Sequence, residues 1–331
     1  MFESIVANEL NSFLEIRKAL ISQKTLKADK TALESFDKYL VSVNYSEKFL
    51  CEEVLDAWIR SLKGKSKTTN GKVLIVKNFA KYLSSMGYPS FLPYVPRMKS
   101  DYIPYIFSDD ELSLLFHYAD NLQPRVSSTC SPHLQSKIPM LLRVLYSAGT
   151  RLGETLSLRQ KDVDFNTHTI FLMEAKCSKE RRIPIHETLA LMLEKYCLSI
   201  GIMYTPEAYL FPGSKTKKDC HFTSRQAERW FSKLLRLAGI DQRAKSWHER
   251  GACLHCLRHV FVLKSMQQLE AAGHSVDVND LLLPSYLGHD CLLDTDKYMK
   301  FSGTLVTSSL NAFEAFTSGL IPKVEVPYED E

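Results

Sequence analysis

The sequence predicts a mainly α-helical chain of two domains, the second of them α+β through one small sheet. Three observations carry that expectation. At about 150 residues per domain, a chain of 331 residues favours two domains over one. Apolar residues recur every three or four positions along most of the chain, the spacing that lines one face of a helix. Between Gly87 and Ser100, Pro89, Pro93 and Pro96 break that pattern, because proline lacks a backbone donor and disfavours helix in the residue before it.

Residues 1–86 read as four helical segments forming a small bundle. The clearest runs from Ser46 to Leu62, where Leu50, Val54, Leu55, Trp58, Ile59 and Leu62 share one face. The breaker cluster puts a domain boundary near residue 100, giving a helical domain over 1–98, a linker over 99–106 and a second domain over 107–331. Ser108 and Glu111 have the spacing of a capping box, in which each side chain satisfies a backbone donor at a helix start. Thr169–Met173 and Arg181–Ile185 alternate as strands around the polar stretch Glu174–Glu180, which predicts a hairpin with a basic loop. Thr223–Ala238, with Trp230, Phe231, Leu234, Leu235 and Leu237, and Leu254–Leu269 read as helices. A last helical stretch spans Leu305–Phe316, and the acidic end from Lys323 to Glu331 reads as a tail or a segment that docks on a neighbour.

With 45% apolar and 24% charged residues, the composition excludes a wholly disordered, collagen-like or coiled-coil chain. No run of 18 apolar residues occurs, and Met1-Phe2-Glu3 lacks the start of a signal peptide. The expectation is therefore a cytoplasmic protein with no membrane partner. Eight scattered cysteines in such a chain predict reduced thiols without structural disulfides. The net charge of +4 is unevenly placed: Ala57–Ser100 holds nine basic residues and no acidic one. A one-signed stretch of this kind is the footprint that phosphate backbones select, and Lys63, Lys65, Lys67, Lys72, Lys77, Arg97 and Lys99 are its candidate DNA contacts.

Reactive residue types are densest in His255-Cys256-Leu257-Arg258-His259. His255 and Arg258 share a helical face and can reach one anion, whereas His259 is expected to face elsewhere, in a packing or hydrogen-bonding role. Arg151 sits between Gly149 and Gly153, which would let the chain turn sharply and present a second guanidinium, with Glu154 ordering that turn. Two planar, permanently charged donors suit an oxyanion that gains charge in a transition state, and phosphoryl chemistry is the natural client. A zinc site among Cys220, His221, His248, Cys253, His255 and Cys256 fails on spacing, because Cys253-x-x-Cys256 has no second matched pair.

Taken in order, these residues resemble the tyrosine recombinases, or phage-type integrases. The matching blocks are Gly149-Thr150-Arg151-Leu152-Gly153-Glu154, the run from Ala175-Lys176 to Ile183-Pro184, His255-x-x-Arg258-His259, Leu287-Gly288-His289, and Tyr298 nine residues on. The resemblance is to the simple two-domain members, including those of mobile elements, without the additional arm-binding domain of larger integrases. It implies a helical core-binding domain and a mainly helical catalytic domain with a small sheet, which clamp duplex DNA.

The same resemblance implies roles. Tyr298 would attack a scissile phosphodiester and form a 3′-phosphotyrosine. Arg151, Arg258 and His289 would hold the non-bridging oxygens. Lys176 would protonate the leaving 5′-oxygen, and His255 would accept the tyrosine proton. No metal or other cofactor is implied. Lys179 shares the loop of Lys176 and either could enter the site; the family's Gly-Lys pair favours Lys176. Two features depart from the family pattern: Cys177 replaces the usual glycine after that lysine, and the chain between Arg258 and His289 is longer. The implied partners are a double-stranded recombination site and further copies of the chain, a tetramer on DNA passing through a Holliday junction, with room for an accessory protein. Rival readings are a type IB topoisomerase, which would relax supercoils without a required site, and a DNA-binding regulator that keeps the fold without catalysis.

Overall fold

The computed structural model describes residues 2–64, 66–96, 104–123, 133–173, 180–213, 220–240, 251–273 and 285–288. It divides into two compact units, Met1–Ser100 and Asp101–Glu331.

The first unit is a bundle of α1 (Ala7–Leu20), α2 (Gln23–Ser42), α3 (Glu52–Ser61) and α4 (Ser66–Ser85). Each helix contributes an apolar stripe to one core, including Leu10, Phe36, Trp58 and Phe79. The edge of one ring meets the face of the other where Phe36 and Trp58 pack, with centroids 4.9 Å apart. Two acids are buried with them and both are satisfied. Asp29 accepts from Arg17 Nη2 at 2.7 Å, and Asp37 accepts from the backbone N–H groups of Glu3 and Ser4 at 2.9 and 3.1 Å. The third helix begins later than its apolar pattern suggests. Leu50 is buried without being helical, because its N–H donates to Ser90 Oγ and its carbonyl accepts from Phe91 N–H, holding it extended against the segment after α4.

The second unit contains α5 (Asp109–Asp120), α6 (Leu134–Ala148), α7 (Leu152–Ser157), β1 (Val163–Asp164), β2 (Thr169–Met173), β3 (Glu180–Pro184), α8 (Glu187–Ser199), α9 (Ser224–Leu237) and α10 (His255–Ala271). The expected capping box is present at α5: Ser108 Oγ accepts from Glu111 N–H, and the Glu111 carboxylate accepts from Ser108 N–H. The three strands form an antiparallel sheet in sequence order, with Ile170 opposite Ile183. Ile170, Leu172 and Ile183 point into the core. β1 has no alternation to read, since it is two residues long. Helix α6 is buried over most of its length and packs on α5, α8 and α10, so the ends of α6 and α10 are fixed relative to each other. Among the described residues no helix is long and apolar enough to cross a membrane.

Lys137 is fully buried in α6. Its ammonium donates to the Pro212 carbonyl and lies 5.1 Å from the Phe222 ring centroid. Burial pushes its pKa down to about 7 against a small opposing effect of Cys220. Between that value and the ordinary lysine range the unfolded chain binds a proton that the folded chain does not, so this group makes stability rise with pH there and adds no slope below it. The stability of the wild type minus that of Lys137→Met is therefore expected to be flat below pH 7. Above that it should climb by up to about 1.4 kcal/mol per pH unit towards pH 10. Urea unfolding across the pH series checks this, and a constant difference would remove Lys137 as the titrating group.

Candidate active site

The site is assembled where α6 ends. Gly149 closes that helix at φ +56°, in the left-handed region. A Cβ there would come 2.2 Å from Cδ1 of Phe261, so the close approach of α10 also demands glycine. Gly153 lies within α7 with open space around it, and the turn therefore rests on Gly149 rather than on both glycines. Arg151 occupies the cap position of α7. Its N–H donates to Glu154 Oε2 at 2.9 Å and its Nη1 to Glu154 Oε1 at 2.8 Å. From β3, Arg181 Nη2 donates to Glu154 Oε2 at 2.9 Å, so one carboxylate holds two guanidinium groups. Burial alone would raise the Glu154 pKa. The Arg151 N–H and side chain and the charge of Arg181 outweigh it and hold the carboxyl below its usual range.

Three arginines then converge on three consecutive backbone carbonyls. Arg181 Nε donates to Tyr286 O at 3.1 Å, Arg258 Nη2 to Leu287 O at 3.0 Å, and Arg151 Nη2 to Gly288 O at 2.9 Å. Arg258 also donates through Nη1 to Gly149 O at 2.7 Å, tying the end of α6, the start of α10 and the 286–288 segment together. Gly288 has φ +64°, and a Cβ on it would lie 2.7 Å from Arg181 Nη1. The absence of a side chain thus admits the guanidinium. The Phe261 and Tyr286 rings stack 5.5 Å apart beneath this segment.

His255 and Arg258 project from the first turns of α10, but to different depths. Arg258 is only 2% exposed, whereas the His255 ring reaches solvent. The protein packed around His255 lowers its pKa below 6.5, and the charges of Arg258 and Arg151 add to that, so the ring is neutral at pH 7. His259 does not face elsewhere. Four residues on, it lies on the same side of the helix, 4.8 Å from the His255 ring centroid and nearly perpendicular to it. Burial, then His255 and Arg258, push its pKa down to about 3, which leaves a neutral packing partner. Among the described residues no three His, Cys, Asp or Glu side chains come together as a metal site requires.

Three arginines converging on one short segment, with a single carboxylate between two of them, make an electropositive, partly enclosed site suited to an anion. Residues 107–279, more than half the chain, match the model of the phage integrase family. The chain belongs to the phage integrase family. A protein of Sinorhizobium fredii named as an integrase/recombinase, y4rE, is 23% identical over 96% of this chain and 98% of its own length. Tyrosine recombinase XerD of Rickettsia conorii is 26% identical over 61% of this chain and 70% of its own. The fold is shared with the XerH site-specific recombinase bound to palindromic difH substrate. That match has a TM-score of 0.65 and 16% identity, over 88% of this chain and 80% of that one. It is shared too with a lambda integrase dimer bound to a core site, with a TM-score of 0.63 and 14% identity over 89% and 95%. Membership among the tyrosine recombinases supports site-specific DNA recombination as the activity.

In this phage integrase the structure brings together Arg151, His255 and Arg258 of the six candidate catalytic residues. Lys176, His289 and Tyr298 lie outside the described residues, as do Lys179 and the expected helix over Leu305–Phe316. The described ends of the hairpin, Met173 and Glu180, flank the segment that carries Lys176, and Gly288 immediately precedes His289. Of the candidate DNA contacts, Lys63 and Lys67 are exposed before and at the start of α4, and Lys72 and Lys77 are half-buried along it. Lys65, Arg97 and Lys99 are outside the described residues. Arg181 escaped the sequence reading although it stands inside a matched block. An arginine on a short strand reads as a solvated face, and its pairing with Glu154 is not local.

Proposed function

We propose that this recombinase cuts and rejoins DNA at a specific site through a 3′-phosphotyrosine, with two pairs of protomers exchanging strands through a Holliday junction. The observation that carries the reading is the convergence of Arg151, Arg181 and Arg258 on the Tyr286–Gly288 carbonyls. It concentrates positive charge immediately before His289, where a scissile phosphate would be held. Arg151, Arg258 and His289 stabilise the phosphoryl oxygens, Tyr298 is the nucleophile, and Lys176 is the acid for the leaving 5′-hydroxyl. His255, neutral at pH 7, is able to take the tyrosine proton. The energy of the phosphodiester is conserved in the covalent bond, so the cycle needs no nucleotide cofactor. Lys63, Lys65, Lys67, Lys72, Lys77, Arg97 and Lys99 contact the DNA backbone. Solved relatives described as a dimer on a core site and as a tetramer on a Holliday junction support the assembly.

The test is a denaturing-gel assay for covalent adduct on nicked duplexes taken from the flanks of the protein's own gene, with EDTA present. An EDTA-resistant adduct is expected from the wild type and none from Tyr298→Phe. An adduct that persists in Tyr298→Phe and vanishes in Tyr286→Phe would move the nucleophile to Tyr286, whose pKa burial raises to about 12. A duplex that is bound but yields no adduct would favour the regulator.

A further inference from the structure

We propose that Cys253 and Cys256 are a redox modification site, a dithiol that closes to a disulfide and thereby shuts the neighbouring arginine-lined site. Their sulfur atoms are 3.5 Å apart, across the start of α10. Cys253 precedes the helix and Cys256 is its second residue. Cys256 N–H donates to Cys253 O at 2.9 Å and Cys253 N–H to Cys256 Sγ at 3.4 Å, so the backbone already folds the pair into one tight turn. A disulfide needs sulfurs about 2.0 Å apart, so closure brings them together by only about 1.5 Å.

The two thiols are unequal in the way that reversible exchange requires. Cys253 is half-buried and open to a small reagent, whereas Cys256 is fully buried. The hydrogen bond to Cys253, and then burial, raise the pKa of the Cys256 thiol. Cys253 is therefore the attacking sulfur and Cys256 the resolving one. Their position supplies the consequence. His255 lies between them in sequence, inside the loop that a disulfide would close, and Arg258 is two residues beyond. Drawing Cys256 towards Cys253 displaces the first turn of α10, on which the Arg258 bonds to Gly149 O and Leu287 O depend.

The oxidant is a low-molecular-weight disulfide such as oxidised glutathione. Cys253 loses its proton and attacks one glutathione sulfur, expelling one glutathione thiolate. Cys256 then gives up its proton and attacks Cys253 Sγ, expelling the second. Two protein thiols are oxidised to one disulfide, and one glutathione disulfide is reduced to two thiols.

The full chain is equilibrated in glutathione buffers of stepped oxidation, its remaining thiols are alkylated, and it is digested with trypsin. Cleavage after Arg250 and Arg258 releases Gly251–Arg258, which holds both cysteines and no others. This peptide is expected to pass from doubly alkylated to a disulfide form two hydrogens lighter than the free dithiol. Adduct formation should fall by about a hundredfold on oxidation, the effect of an ångström's misplacement in such a site, and return with dithiothreitol. Cys253→Ser should cleave equally well in both buffers. A peptide alkylated at both positions throughout the series overturns the proposal, as does a disulfide that leaves cleavage unchanged or a Cys253→Ser variant that oxidant still silences. The cleavage arm rests on the proposed function. If the reduced wild type forms no adduct, that function fails, while the peptide mass still decides whether the redox site exists.

Discussion

Arg258→Ala is expected to reduce strand cleavage about 100- to 1,000-fold, the loss seen when one donor to a developing oxyanion is removed, and to destabilise the second unit as well. The side chain is 2% exposed and donates to two backbone carbonyls, Gly149 O at the end of α6 and Leu287 O in the 286–288 segment. Truncation leaves both carbonyls without this donor and opens a cavity where the guanidinium lay, at a combined cost of about 3–5 kcal/mol. Arg258→Lys separates the two effects. An ammonium keeps the charge and fills much of the space, but it cannot present two parallel donors to carbonyls on different segments. Denaturant unfolding should show the lysine variant recovering part of the stability, while the adduct assay shows cleavage still strongly impaired. Cleavage at the wild-type rate by Arg258→Ala would refute the role assigned to this arginine, whatever its effect on folding.

Sequence reading works well where the determinant is local and less well where it is not. The capping box at Ser108–Glu111, the β2–β3 hairpin and helices α9 and α10 are all written in spacings of a few residues, and they appear within a residue or two of where the pattern puts them. The start of α3 is misread because Leu50 is apolar at the correct helical spacing, yet its backbone is claimed by Ser90 and Phe91, about forty residues away. The site shows the same division. Arg151, His255 and Arg258 are legible because their types fit anion chemistry and their motifs are short. What brings them together is not local: bonds to Gly149 and to 286–288, and a glycine whose necessity comes from Phe261 on another helix. His259 is harder to place for a simpler reason: its adjacency to Arg258 suggests a different direction, but on a helix its four-residue offset from His255 governs and sets the two rings side by side.

Glu154→Ala is the second change with a large expected effect, and it acts without touching DNA. The carboxylate is nearly buried between Arg151 and Arg181, and it also accepts the Arg151 backbone N–H. Removing it leaves two guanidinium groups facing each other across the site, and their repulsion moves Arg151 and Arg181 away from Gly288 and Tyr286. The cost is about 2–4 kcal/mol, below the range for a wholly buried pair because Arg151 is partly open to water. Cleavage should fall by roughly a hundredfold if Arg151 shifts by an ångström. Glu154→Gln keeps an acceptor for the Arg151 N–H, as glutamine does in a capping box, and should lose less stability than the alanine variant. Because the Glu154 pKa is lower in the folded chain than in the unfolded one, the wild-type advantage over Glu154→Gln is fully present above about pH 4.5. It disappears as pH falls through the lowered folded value. Unfolding curves for the pair of proteins between pH 3 and pH 7 test the sign. An advantage that grew on acidification would mean that the carboxylate is not what holds the two arginines in place.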